Sequence, residues 1–406
     1  MSGCVDVLVV GGGPAGATAA ALLAMAGVRV RVLERERFPR FHIGESLLPA
    51  ELAIFERLGV TLEPAFSLRK GGAEFWNERT GQHARFDFCD GLPGTPTFAY
   101  QVHRAAFDAA LLGRAEAAGA ELVWGQTAEA FEVLDDRARV HTDAAPHDAR
   151  FVIDATGQRA WLGRRAKSLD RIDGFGLAAA YTHFDKVPDD ARAELEATGN
   201  IHIFMVDDGW AWLIPQPGGR VSVGRVSARR GVRASDLDEA IGASPRIRRA
   251  TEAAERLQSH LCGNYSYRNR SPYGVRHACV GDAAGFLDPC FSSGVAFAML
   301  GAEWLVDALV PALAAGAEAD PDLAAGASRA MDRGYRTMGA LIERFYHAGL
   351  VDRLFFYDTP TPELRQGLIS LLAGDLWRDD NPFERLLVSS RRRSGKGHDP
   401  RRPERA

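Results

Sequence analysis

The sequence predicts an α/β fold. It has a nucleotide-binding module of βαβ type, an antiparallel sheet inserted into that module, and a helical C-terminal region. Three observations carry the prediction. A β-branched run, Val5 to Val10, leads directly into Gly11-Gly-Gly-Pro-Ala-Gly16 and then into an Ala- and Leu-rich stretch. From about residue 175 to 270 the chain changes to short extended runs separated by polar breaks. Residues 328 to 390 read as wholly helical.

The elements follow in order. Val5 to Val10 has the pattern of a buried parallel strand. Ala17 to Ala26 is the helix, Gly27 ends it, and Val28 to Leu33 is the second strand, closed by Glu34. A helix is expected from Pro49 to Leu58, an inserted strand near Lys70 to Trp76, and an extended piece from Phe98 to Arg104. A helix follows from Ala105 to Ala118. Leu122 to Trp124 opens a strand set that includes Val140 to Thr142. Phe151 to Gly157 is a buried strand ending in a glycine turn. The inserted sheet takes Gly174 to Phe184, Asn200 to Val206, Gly209 to Pro215 and Arg220 to Ser227, followed by one helical stretch from Leu237 to Leu257. His277 to Ala284 returns to the strand-and-turn style of the first module, and Gly294 to Leu313 is helical. The Arg-, Gly- and Pro-rich end from Arg391 to Ala406 is expected to be disordered.

Composition narrows the function. The chain has 406 residues and a formal charge of −4. Its body has no long basic block, which argues against nucleic acid as a partner. No apolar stretch reaches about 18 residues, so no membrane span is expected. The five cysteines form neither a C-x-x-C pair nor a metal spacing with histidine. They point to a reducing cytoplasm, and no bound metal is expected. Lysine occurs at four positions, Lys70, Lys167, Lys186 and Lys396, among 49 basic residues. In so arginine-rich a chain, each lysine asks for a reason.

Gly11, Gly13 and Gly16 fit G-x-G-x-x-G between a strand and a helix, with Glu34 eighteen residues after Gly16. Gly11 permits the tight turn. Gly13 lets the backbone approach a pyrophosphate, and Gly16 lets helix and strand pack closely. The helix N-terminus favours the phosphate charge. Glu34 suits a ribose 2′-OH and disfavours a 2′-phosphate. Arg104 is placed to neutralise a phosphate. Val152-Ile-Asp-Ala-Thr-Gly157 and Gly281-Asp282-Ala-Ala read as further approaches to one extended cofactor. Asp282 would hold its ribityl and pyrophosphate region. No second glycine fingerprint is present, so reducing equivalents must come from another protein.

Three segments then resemble one family. They are Phe38-Pro-Arg-Phe-His-Ile-Gly-Glu-Ser-Leu-Leu-Pro49, Trp210-Ala-Trp-Leu-Ile-Pro215 and Gly281-Asp-Ala-Ala-Gly-Phe-Leu-Asp-Pro-Cys-Phe-Ser-Ser-Gly-Val295. Together they are similar to the flavin-dependent halogenases, in the subgroup that acts on phenols and pyrroles, often tethered to carrier proteins. The resemblance runs from residue 5 to about 385. It implies a glutathione-reductase-like FAD fold with FAD held by Gly11, Gly13, Pro14, Ala15, Gly16, Glu34, Arg40, Gly44, Ser46, Arg104, Asp282, Gly294 and Val295. On this reading residues 1–69, 98–174 and 271–327 form the FAD-binding domain. Residues 70–97 and 175–270 form the inserted substrate domain, 328–390 the helical region and 391–406 the tail.

The family's chemistry assigns roles. FADH2 from a separate flavin reductase, with O2, converts chloride or bromide to hypohalous acid. The oxidant then travels to a lysine beside the aromatic substrate. That lysine lies in a K-x-G-A segment, which Lys70-Gly-Gly-Ala73 matches. A pKa lowered by burial would help it act as an amine. Trp210 and Trp212, two apart on a strand, share one face and with Ile214 would form the wall between flavin and substrate. The halide is carried over to Ser293 and Gly294, at a helix N-terminus. Relatives that act on free tryptophan have a glutamate just before their serine. This chain has Phe291 there, which argues against that substrate. A halide-independent FAD monooxygenase or dehydrogenase is the alternative on the same scaffold. The indole wall together with Lys70 discriminates against it.

Overall fold

The computed structural model describes residues 3–394, except 174, 176, 177, 207, 228–230, 264, 348–354 and 357–360. The first module is built on a sheet with the parallel order Glu121–Trp124, Val30–Glu34, Val5–Val10, His147–Asp154, His277–Cys279. Val7 stands opposite both Val30 and Phe151, so the apolar runs read in the sequence are the strands buried on both faces. The hairpin Ala128–Val133 and Ala138–Thr142 joins through an antiparallel pairing to His147–Asp154.

Helix Pro14–Met25 begins as the glycine turn closes, with proline in its first turn, where no N–H is needed. Its run of small residues is buried and packs against helices Arg104–Ala117 and Ser293–Ala315. The expected spans agree to within a few residues. The expectation of no spanning-length segment is overturned, because Ser293–Ala315 is long and apolar enough, at mean hydropathy 1.5. It is a core helix: 56% of that window is buried, and its Glu303 and Asp307 both pair with Arg57.

The inserted sheet runs Glu255–Arg256, Ala178–Asp185, Arg220–Ser227, Gly209–Gln216, Ile201–Val206, Gly72–Asn77, Gln82–Asp87, with His260–Gly263 also on Ala178–Asp185. One pairing departs from the antiparallel expectation. Ile201–Val206 lies parallel to Gly72–Asn77, with Ile201 opposite Ala73. The two strands are far apart in sequence and joined through the first module, so no hairpin constrains their direction. Gly174, at the start of the first expected strand, lies outside the described residues. One face of the sheet buries Trp210, Trp212 and Ile214 against the C-terminal helices. The other buries Ala211 and Leu213 beneath helices Asp189–Glu196, Ala234–Ala243 and Pro245–Thr251.

Two further expectations change. The single helix over 237–257 is two, because Ser244 caps a new one by accepting from the Ile247 N–H at 3.1 Å, with Pro245 next in line. The C-terminal region is not wholly helical. Among the described residues its helices are Ala325–His347, Pro362–Leu372 and Pro382–Ser394, and residues 373–381 between the last two are not helical. Gly374, at φ 84°, turns the chain after the second of them. The last helix carries Arg391, Arg392 and Arg393, so the expected tail starts later than Arg391, and residues 395–406 lie outside the described residues.

Candidate active site

The glycine turn is fixed by close backbone approach. Gly11, at φ 105°, donates to the Leu33 carbonyl at 2.8 Å. A Cβ on Gly16 would lie 1.8 Å from the Gly11 carbonyl oxygen, whereas one on Gly13 would meet only Arg40, at 3.5 Å. Packing therefore demands glycine at 16, and Gly13 leaves open space for a ligand. Glu34 is buried, accepting from the N–H of Gly12 at 2.7 Å and of Glu36 at 2.9 Å. Those bonds orient its carboxylate at the end of the strand.

A cavity of about 340 Å3 extends from this turn. Gly11, Gly13, Pro14, Ala15 and Glu34 line it. So do Arg40, Gly44, Ser46, Arg104 and Asp282, and so do Trp210, Trp212, Gly294 and Val295. Gly16, Ser293 and Lys70 do not. Gly16 is in the packed turn, and Ser293 is buried at the start of its helix.

Arg104 is already engaged. Its guanidinium holds Asp108 at 2.8 and 2.9 Å and donates to the carbonyls of Ile43 and Gly44. Arg40 binds the same carboxylate at 3.0 Å. Two guanidinium groups thus share one buried carboxylate, and Arg104 fixes the 43–44 segment. Burial pushes the Asp282 carboxyl up to about 7, against the pull of Arg104 and a bond with Gln158. Asp282 can therefore donate as well as accept near neutral pH.

The indoles sit on one face as expected, with ring centroids 5.7 Å apart. Trp212 donates to Ser222 Oγ at 3.1 Å. Trp210 donates to Tyr346 Oη at 2.7 Å, and Tyr346 in turn reaches Asp288 at 3.1 Å. Sequence reasoning missed that chain, because Tyr346 lies on the helix Ala325–His347. It also missed Glu45. This buried carboxylate of the Gly-Glu-Ser segment lines the cavity and takes a 2.6 Å bond with His183 Nε2. Burial acts to raise the Glu45 pKa, but the bond with His183 and its charge hold it below the usual range. Asp108 was within reach of sequence reading, since it falls four residues after Arg104 on one helix.

Lys70 ends the strand Ser67–Lys70 and is 1% exposed. Its ammonium donates to Ser46 Oγ at 2.9 Å and to the Leu47 carbonyl at 2.8 Å, and lies 5.3 Å from the Phe88 ring centroid. Ser46 lines the cavity, so Lys70 stands one hydrogen bond behind its wall. Burial pushes its pKa down to about 7, opposed by the charge of Glu51.

Fold and site together define an FAD-dependent oxidoreductase. Residues 4–329 match the family described as FAD binding domain. The chain is 30% identical to a 1H-pyrrole-2-carbonyl-[peptidyl-carrier protein] brominase of Pseudoalteromonas luteoviolacea, over 91% of each chain. It is 28% identical to a 1H-pyrrole-2-carbonyl-[peptidyl-carrier protein] chlorinase of Pseudomonas fluorescens, over 92% of this chain and 89% of that one. Among solved structures, a flavoprotein/dehydrogenase from Cytophaga hutchinsonii superposes with a TM-score of 0.83 at 26% identity, over 97% of this chain and 100% of that one. The chain belongs to the flavin-dependent halogenase family.

Proposed function

We propose that the protein halogenates an electron-rich aromatic ring, a pyrrole or phenol carried on a carrier protein, with Lys70 as the amine that delivers the halogen. The single observation that carries this is a lysine sealed from solvent, one hydrogen bond behind the wall of the cavity at the glycine turn, with its pKa pushed down to about 7 by burial. Bound FAD, reduced by a separate flavin reductase, supplies with O2 the oxidising equivalent that turns chloride or bromide into hypohalous acid.

The chain's own residues divide the remaining work. Gly11, Gly13, Pro14, Ala15, Gly16 and Glu34 hold the adenosine and pyrophosphate end. Arg40 and Arg104, through Asp108, keep the wall at Gly44 and Ser46 in place. Asp282 and Val295 bound the cavity farther along. Ser293 and Gly294 offer backbone N–H groups to the halide. Trp210 and Trp212 exclude the substrate ring from the flavin. Lys70, uncharged, takes the halogen in a setting that excludes water. Substrate tethering draws support from the two pyrrolyl-carrier relatives. A cytoplasmic location belongs to the same reading, and the five cysteines are free thiols.

Lys70→Ala, assayed with a flavin reductase, O2, halide and carrier-bound pyrroles, should lose at least about 100-fold in halogenated product. It should still bind FAD and consume oxygen. Undiminished product removes Lys70 from the role. A second reading, halide-independent oxidation, rests on Lys70 lying outside the cavity and on the likeness to the flavoprotein/dehydrogenase. Product of the same mass with and without halide would select it.

A further inference from the structure

Tyr346 ties together two parts of the cavity wall that come from different stretches of the chain. Trp210, on the strand Gly209–Gln216, lines the cavity. So do Pro289, Ser292 and Gly294, in the turn Pro289–Phe291 and at the start of the helix Ser293–Ala315. The phenol oxygen of Tyr346 accepts from Trp210 Nε1 at 2.7 Å and donates to Asp288, whose two oxygens lie 3.1 and 3.3 Å away. The same carboxylate accepts from the Cys290 N–H at 2.9 Å and so caps the turn. Trp210 and Asp288 are each buried, so neither polar group has water to turn to. Burial, with the charge of Asp288, holds the Tyr346 phenol well above its ordinary pKa. The phenol therefore keeps its proton, and the direction of the chain is fixed. The indole donates to the phenol, and the phenol and the turn N–H both donate to the carboxylate. The preceding residue makes an apolar bridge between the same two parts. Phe345 meets Trp210 edge-on at 6.5 Å and Phe291 at 5.4 Å between ring centroids.

We propose that Tyr346 is a positioning residue that fixes the indole wall against the halide turn, and so keeps the oxidant formed there on its route to Lys70. The inference rests on the reading that halide binds at Ser293 and Gly294 and that Lys70 receives the oxidant. Without the hydroxyl, the Trp210 N–H loses its acceptor and Asp288 loses a donor, both in a place sealed from water. The indole must then tilt, or the carboxylate must turn toward another donor. A carboxylate that turns also disturbs its bond to the Cys290 N–H, and with it the start of the helix that offers its N–H groups to the halide. Either movement changes the gap between wall and turn. Halide then binds less well, and reduced FAD with O2 yields FAD and H2O2 with no halogen transferred.

Tyr346→Phe removes one oxygen atom and keeps the ring. The FAD-loaded variant is assayed with a flavin reductase, O2, chloride or bromide and a carrier-bound pyrrole. It should bind FAD and consume oxygen within about twofold of wild type. Its halide KM should rise at least about fivefold, and halogenated product per O2 consumed should fall by a similar factor, with the balance found as H2O2. Asp288→Asn keeps an acceptor for the Tyr346 hydroxyl and the Cys290 N–H, so it should retain most of the coupling. Asp288→Ala should match Tyr346→Phe. An unchanged halide KM with unchanged coupling in Tyr346→Phe overturns the inference. So does a product loss that follows FAD occupancy at constant product per O2, which is what a merely structural role would give. Should the variant fold too poorly to assay, the wild-type holoenzyme supplies the test. The Trp210 indole N–H band in ultraviolet resonance Raman spectra, assigned with Trp210→Phe, should shift as halide saturates the site. A band indifferent to halide overturns the inference. Undiminished product from Lys70→Ala removes the parent reading instead, and the halide response of the Trp210 band separates the two results.

Discussion

A methyl group decides whether the nucleotide turn can form. At Gly16 a Cβ would sit 1.8 Å from the Gly11 carbonyl oxygen and 3.2 Å from the Ala155 methyl. Backbone rather than a pliable side chain is in the way, so the strand and helix must separate. Gly16→Ala should therefore cost about 2 kcal/mol or more. It should also weaken FAD binding at least about tenfold, measured by quenching of flavin fluorescence, since the separated helix start moves Gly13 and Pro14. Retention of normal FAD affinity would show that the turn tolerates the shift. This residue was legible in the sequence, because a fixed-spacing glycine motif encodes a local steric requirement. Glu51 was not. Nothing local marks a glutamate in a proline-led turn as buried, and the bonds of Ser46 and Leu47 to Lys70 exist only once that segment folds back over the strand Ser67–Lys70.

The same contrast holds for whole elements. The strand Gly209–Gln216 was readable from Trp210-Ala-Trp-Leu-Ile-Pro215, and period-two alternation correctly put both indoles on one face. The reason Trp212 fits there lies on another strand. Gly224, its partner in register on Arg220–Ser227, has no side chain, and a Cβ built on it would stand 2.2 Å from the indole. The ring lies over the glycine backbone. Gly224→Ala should displace the Trp212 ring, break its 3.1 Å bond to Ser222 and destabilise the fold by about 1–3 kcal/mol. If the indole wall keeps substrate from the flavin, product should fall and uncoupled oxygen consumption rise. Unchanged coupling, with Trp fluorescence also unchanged, would show that the wall holds without the glycine. The break at Ser244 shows the limit from the other direction. A hydrophobic count over 237–257 suggests one helix, but a serine cap followed by proline overrides it. The parallel pairing of Gly72–Asn77 with Ile201–Val206 was beyond any local signal.

At the scale of the whole molecule, the fold places two titratable groups where each is held away from its usual charge, and stability must record that. For Glu51 the folded pKa, about 8, lies above the unfolded value, so the native state holds a proton that the unfolded chain has lost. Stability is then fully present at low pH and lost as pH rises toward 8, at about 1.4 kcal/mol per pH unit. Lys70 has the opposite sense. Its folded pKa, about 7, lies below the ordinary lysine value of 10.5, so the unfolded chain binds the extra proton between those values and stability recovers as pH rises through that window. Histidines buried in neutral form, such as His202 with its pKa pushed down to about 4 by burial, add a rise in stability up to the unfolded histidine pKa. That rise is common to wild type and variants and cancels between them. Urea unfolding of the FAD-free protein from pH 6 to 9 should therefore give two trends of opposite slope. Glu51→Gln should gain stability over wild type as pH rises from 6 to 8. Lys70→Met should be most stabilising below about pH 7 and lose part of that advantage toward pH 9. Parallel curves for all three proteins would mean that neither group is held against its charge. The role proposed for Lys70 would then lack its electrostatic basis.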